Sequence, residues 1–410
     1  MKNKIVQLVL LVLVYALFAN CEHSSVNPVQ RIFRELTPLE KRLVESDNKF
    51  GLKLFREVIH AEVDKTKNVF ISPLSVSMAL GMTLNGANGS TREAMQETLE
   101  LVGLTTEEIN QSYKSLIELL VQLDPMVKFQ IANSIWHRDD YTFRQEFIDL
   151  NKTFFNAIVR ALDFGDPGAK DIINGWVKEN TNNLIDKIID EISRDHVMFL
   201  INAIYFKGDW TSQFDPANTA DDFFTTLDGS TMRCKMMHQQ HDFSYLENAS
   251  FQAIDLPYGD AGFSMTILLP RIRTQIDSLI AQLTSENWAA WIGGFSIKTV
   301  ELAMPKFTTQ YEIKLNDALA ALGMGVAFTD LADFTKMYAP GGLAIDEVKH
   351  KTFVKVDEEG TEAAAVTSVG IIRDSLPEII SMRIDHPFVF SIRENRSNTI
   401  LFIGKIVAPE

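Results

Sequence analysis

The side chains that could do chemistry on their own account are few, and their spacing does not suit a reaction. His238 and His241 could bring two imidazoles to one metal, but no neighbouring carboxylate or thiol completes a tetrahedral set, so the stretch reads as a polar loop with no metal. Neither a Gly-x-Ser-x-Gly elbow nor a His-Glu-x-x-His pair occurs, and Gly323-Met324-Gly325 lacks the third glycine of a dinucleotide fingerprint and reads as a turn. The remaining serines, histidines and aspartates are scattered, and nothing in their order assembles a triad. Two polar residues stand out because they interrupt apolar stretches: Asn202 within residues 197–206, and His350 just ahead of Thr352-Phe353-Val354-Lys355-Val356. A buried polar group without a partner costs about 1–3 kcal/mol, so each of these must be hydrogen-bonded.

The chain also holds a stretch that no ordinary core or loop pattern explains. Glu358-Glu359-Gly360-Thr361-Glu362-Ala363-Ala364-Ala365-Val366-Thr367 follows a clear strand pattern yet holds nothing large enough to anchor a core. As a strand it would put Thr361, Ala363, Ala365 and Thr367 on one face, all small and uncharged, and Glu362, Ala364 and Val366 on the other. Such a face could slide between two existing strands without burying a charge. Gly360 supplies a pivot at its base. In isolation the same composition suits a partly helical surface loop, since Glu and Ala are good helix formers.

The elements around this stretch give it a context. Residues 129–136 alternate as a strand, and 197–206 form a near-continuous apolar run, the pattern of a strand covered on both faces. Between them, residues 171–189 carry Trp176, Val177, Thr181, Leu184, Ile185 and Ile188 at helical spacing. Ser46-Asp47-Asn48 could cap a helix with apolar Phe50, Leu52, Leu54, Phe55, Val58 and Ile59, and Pro73 sits in the first turn of another. Short strands follow at 251–258, 264–270 and 297–305.

In this order the segments resemble the serpin family, protease inhibitors that insert a cleaved loop into a sheet. The resemblance rests on Asn68-Val69-Phe70-Ile71-Ser72-Pro73-Leu74-Ser75, on the 197–206 strand with Lys207-Gly208-Asp209-Trp210, and on Asp346-Glu347-Val348-Lys349-His350. It continues through the hinge pattern from Glu358 to Ala365, then Asp385-His386-Pro387-Phe388 and Ile400-Leu401-Phe402-Ile403-Gly404. It covers residues 46–410. It implies an α+β fold of three β-sheets, the large one called sheet A, with about nine helices and an exposed reactive-centre loop. It also implies a hinge at Glu358, Glu359, Gly360, Thr361, Glu362, Ala363, Ala364 and Ala365. Ser72, Ser75, Asn202 and His350 would form a "shutter" beneath the opening sheet, with Trp210 near the "breach" where insertion begins. The implied function is suicide inhibition of a protease, not enzymatic catalysis; a binding or storage member that does not inhibit is the alternative. Counting seventeen residues from Glu358 places the cut between Asp374 and Ser375. A hinge one residue shorter places it between Arg373 and Asp374, which would recruit trypsin-like enzymes.

Composition sets the outer limits. The chain has 410 residues, 46% hydrophobic, enough for a large core, and its two cysteines exclude a disulfide framework. A net charge of −15, with no basic cluster, argues against nucleic acid and against a heparin-like cofactor, and no other cofactor is expected. Lys2 and Lys4 precede an apolar run to Phe18 that is too short to span a bilayer, the pattern of an export signal over residues 1–20. Cys21 directly after it resembles a lipoprotein signal, the cysteine becoming a lipidated first residue; an ordinary cleaved signal is the alternative. Residues 21–45 read as a polar tether, 46–410 as one domain. The expectation is an exported monomer, at the outer membrane or cell surface if lipidated and otherwise secreted.

Overall fold

Thr37 starts the folded body. In the computed structural model, which describes residues 35–361 and 379–409, its hydroxyl accepts from Glu40 N–H. The Glu40 carboxylate accepts in return from Thr37 N–H, closing a capping box at the head of α1 (Pro38–Ala61). The boundary expected at Ser46 therefore lies inside a helix. Polar Lys41 and Arg42 disguised the first two turns, although Leu43 and Val44 are buried. Ser46 and Asp47 are not caps but buried mid-helix residues, and Ser46 Oγ donates to the Glu100 carbonyl at 2.8 Å.

From Thr37 onward the described residues form one compact unit. Eight further helices follow: α2 (Pro73–Leu84), α3 (Gly89–Thr98), α4 (Thr106–Gln122), α5 (Gln145–Phe155), α6 (Ala169–Asn180), α7 (Ile276–Ala281), α8 (Ser285–Gly293) and α9 (Asn316–Leu319). The helix and exit expected over 171–189 are α6 and the segment after it, where Asn182 and Asn183 turn into the left-handed region, at φ 50° and 64°. Its apolar face, Ile173 and Val177, packs on Trp136 and Ile201 of the sheet beneath.

The described strands fall into two hydrogen-bonded networks. The first is built on β1 (Val69–Ile71), β5 (Ala220–Thr225), β6 (Thr231–Glu247), β7 (Phe251–Tyr258), β8 (Phe263–Pro270), β9 (Ser296–Pro305), β13 (Ile380–Arg383), β14 (Phe388–Glu394) and β15 (Ile400–Ile406). It joins the two smaller sheets of the expected three, because β6 pairs with β5 and β9 along most of its length and with β7 at its end. His238 and His241 sit in β6, opposite Ala303 and Val300, and not in a loop. Three apart in a strand, they point to opposite faces and cannot share a metal.

The second network carries both polar interruptions singled out in the sequence, Asn202 and His350. It comprises β2 (Val127–Arg138), β3 (Ile158–Leu162), β4 (Met198–Asp209), β10 (Phe307–Lys314), β11 (Lys349–Val356) and β12 (Gly360–Thr361), in the order β10-β11-β12-β4-β2-β3. Its two faces are both covered, as the near-continuous apolar run of β4 requires. Phe206 and Ile204 of β4 face the main core, and Asn202 between the same strand's neighbours points to Met78 of α2. Ile201 and Phe199 face the smaller cluster under α6.

Candidate functional site: the opening between two strands

After β11 the chain reverses within four residues and re-enters the sheet as β12, whose two residues lie between β11 and β4. Thr361 is opposite Val356 on one side and Gly208 on the other, antiparallel to both, and Gly360 is opposite Asp209. Beyond Thr361 no ladder joins β4 to β11 among the described residues. The two strands diverge around an opening lined by Phe206, Ile204 and Asn202 on one side and by Val354, Thr352 and His350 on the other. Ser75 closes its floor and Val177 of α6 lies above. Towards its foot the opening continues into a cavity of about 210 Å³ between β4, α2 and residues 342–351.

The mouth is built around Trp210. Its Nε1 donates to the Asp357 carbonyl at 3.0 Å and its backbone N–H to the Glu359 carbonyl at 2.8 Å, so the turn is held from below. The indole stacks on Tyr258, centroids 4.4 Å apart and planes 15° from parallel. The Tyr258 hydroxyl lies 2.8 Å from Thr361 Oγ1. Glu358 is buried, with Lys306 Nζ at 2.6 Å and the Thr219 hydroxyl donating at 2.8 Å. Burial acts to raise the Glu358 pKa, but the Lys306 ammonium and the hydrogen bonds outweigh it and hold the carboxyl below its usual range.

The middle is a hydrogen-bonded chain across the opening. Ser72 N–H donates to His350 Nε2 at 2.9 Å, Ser75 N–H to Ser72 Oγ at 3.3 Å, and Ser75 Oγ to the Asn202 carbonyl at 3.3 Å. His350 is buried, and burial pushes it down to about 4; the imidazole is neutral, with its proton on Nδ1 because Nε2 accepts. The structure thus brings Ser72, Ser75, Asn202 and His350 together, but Asn202 and His350 do not bond each other. The Asn202 amide turns away, donating to Asn133 Oδ1 at 2.7 Å, and its Oδ1 has no partner among the described residues.

At the foot, His196 Nε2 lies 3.0 Å from Asp346 Oδ2, linking the approach to β4 with the approach to β11. With Glu347 these groups are within reach of one cation. His196 Nδ1, however, accepts from Ser193 N–H at 2.8 Å, so Nε2 carries the proton given to Asp346, and Lys349 stands 3.7 Å from Glu347. The cluster is a hydrogen-bonded clasp. A serine–histidine side-chain contact occurs elsewhere, Ser212 Oγ to His241 Nε2 at 3.2 Å, but it is solvent-exposed and His241 Nδ1 faces the Asp242 carbonyl, not a carboxylate.

Sequence reasoning placed Trp210, Glu358 and Thr361 near one another but missed Tyr258 at the end of β7, Asn133 in β2 and Lys306 between β9 and β10. Cys21, hinge positions Glu362, Ala363, Ala364 and Ala365, and the bonds at Arg373, Asp374 and Ser375 lie outside the described residues.

Comparison with known proteins follows the same lines. A family model described as "Serpin (serine protease inhibitor)" matches residues 45–409. Human neuroserpin is 34% identical over 358 residues, covering 84% of this chain and 87% of that one. The native-state crystal structure of the thermophilic serpin tengpin superposes with a TM-score of 0.82 at 32% identity, covering 92% of this chain and 95% of that one. Human thyroxine-binding globulin, solved with its hormone, superposes with a TM-score of 0.81 at 28% identity over 90% of this chain and 99% of that one.

Proposed function

Since this chain belongs to the serpin family, we propose that it inhibits a serine protease, or a cysteine protease, as a suicide substrate. The observation that carries the reading is β12: the hinge already occupies the mouth of the opening, antiparallel to both neighbours, as the first two residues of a strand yet to be completed.

The protease's own nucleophile attacks the carbonyl carbon of the reactive bond; the new amine leaves with a proton and the enzyme remains as an ester or thioester on the loop. The freed strand then grows from Thr361. In the register set by β12, each further loop residue meets the preceding residue of β4 and of β11. Ala363 comes opposite Phe206 and Val354, Ala365 opposite Ile204 and Thr352, and Thr367 opposite both Asn202 and His350. A threonine hydroxyl would therefore arrive where Asn202 Oδ1 lacks a partner and His350 Nδ1 carries its proton. This fit supports a role for Ser72, Ser75, Asn202 and His350 as the shutter and for Trp210 at the breach. Fourteen inserted residues span roughly 46 Å at about 3.3 Å each, enough to carry the acylated enzyme to the far end of the sheet.

The reactive bond is Asp374–Ser375 by the count from Glu358, with Arg373–Asp374 next; an Arg373 bait recruits trypsin-like enzymes. Export through the 1–20 signal, with lipidation at Cys21, places the inhibitor outside the cytoplasm to meet its target. The similarity to thyroxine-binding globulin supports a second reading, a serpin that binds a small molecule without inhibiting. Incubation with trypsin-, elastase- and Glu/Asp-specific proteases separates the two. The inhibitory reading expects an SDS-resistant complex with at least one, its bond identified by mass spectrometry; cleavage by all with no complex sinks it.

A further inference from the structure

We propose that Tyr258 is the positioning residue for the hinge: its hydroxyl holds Thr361 at the mouth of the opening and so sets how often the chain traps a protease and how often it is merely cleaved. This rests on the reading of the loop as an inserting strand.

Tyr258 ends β7, in the other network, so its contact with Thr361 couples the two sheets at the point where the sheet of β4 and β11 is open. Both residues are buried, Tyr258 at 0% and Thr361 at 3% exposure, so neither hydroxyl has bulk water as a substitute partner. The phenol ring cannot drift. It stacks on Trp210 on one side and abuts Gly208 on the other, where a β-carbon would come within 3.0 Å of the ring. Trp210 reads the Asp357 and Glu359 carbonyls, and Tyr258 reads the side chain of Thr361. One aromatic pair thus fixes alternate positions of the hinge. Burial also drives the phenol pKa up, which keeps the hydroxyl protonated.

A docked Thr361 gives the strand a formed first rung before the loop is cut. Without it the first pairings must form while the acyl-enzyme is already being hydrolysed, and more inhibitor is consumed as substrate. Removing one hydroxyl strands the other in a buried site, whereas removing both leaves nothing unsatisfied.

The test uses Tyr258→Phe, Thr361→Val and the double variant of the full chain. Tyr258→Phe keeps the ring and its stacking on Trp210. Hydrogen exchange of the amides over 357–361 is measured in the unreacted protein. The number of inhibitor molecules consumed per enzyme trapped is measured with a protease that gives an SDS-resistant complex with wild type. Each single variant should speed exchange there and raise the consumption ratio, each on the order of tenfold for one lost hydrogen bond. The double should be no worse than either single. Unchanged exchange in Tyr258→Phe, or losses that add in the double, overturns the proposal. If wild type traps no protease, the inhibitory reading fails by itself, and the exchange measurement still decides whether Tyr258 holds the hinge.

Discussion

Gly360 and Gly208 meet so closely that a β-carbon on Gly360 would lie 2.2 Å from the Gly208 carbonyl oxygen. Gly360 also has φ +152°, in a region that side chains disfavour. Both facts say that the hinge enters the sheet only with glycine at its base. Gly360→Ala is expected to cost about 1–3 kcal/mol in the docked arrangement and to expel Thr361 from the mouth. Limited proteolysis with increased cutting near residue 360 is the check; a hinge as protected as wild type contradicts it.

Lys306 is the cationic partner of buried Glu358 at 2.6 Å. A carboxyl held below its usual range stabilises the fold above its unfolded pKa and loses that contribution as pH falls through the folded one. Lys306→Met should therefore lower the melting temperature at pH 7, and the gap from wild type should close below about pH 4.5. A gap independent of pH would show that the ion pair is not the cause.

His350 has the opposite charge logic. Burial pushes it down to about 4 from an ordinary 6.5, so between those values the unfolded chain binds a proton that the native fold refuses. Stability falls as pH drops through that window, by on the order of 3 kcal/mol in all. His350→Gln should destabilise at pH 7 but lose less than wild type between pH 6.5 and pH 4, as measured by urea unfolding across that range.

Asp47 works against His350 in the same range. Its Oδ1 accepts from the Tyr113 hydroxyl at 3.1 Å, while Oδ2 is buried without a partner among the described residues. Burial pushes the carboxyl up to about 7. The native fold then holds a proton that the unfolded chain has released, and stability declines as pH rises from about 4 to 7, staying level above. Asp47→Asn should raise the melting temperature at pH 8 and give little or no gain at pH 5. An equal shift at both would mean that Asp47 is not protonated in the fold.

Much of this was legible in the sequence, and the reasons are local. The β4 run announced a strand covered on both faces, and the small residues around Thr361 announced a face that could be buried. Asn202 and His350 were visible as polar interruptions. What stayed hidden depends on contacts between distant segments. Nothing about Tyr258 distinguishes it from other strand-end tyrosines until β7 is laid beside β12. Lys306 is one lysine among many until it lies beside Glu358. The early start of α1 was hidden because a helix half exposed to water begins with polar residues, and its two apolar anchors, Leu43 and Val44, are too few to show a period. His238 and His241 misled because a polar strand at an exposed sheet face looks like a loop.

In the proposed mechanism the opening between β4 and β11 is an unfilled strand position belonging to the loop. Each backbone hydrogen bond nets about 0.5–1.5 kcal/mol, so a fully paired inserted strand would add more than about 10 kcal/mol, comparable to the whole stability of an ordinary domain. The direct measurement is the melting temperature before and after limited proteolysis, with mass spectrometry locating the nick between Val369 and Ser375. A loop that inserts should give a sharp rise with no loss of mass beyond the nick. A mapped cut in that window that leaves the melting temperature unchanged, or lowers it, would show that the loop does not enter the sheet.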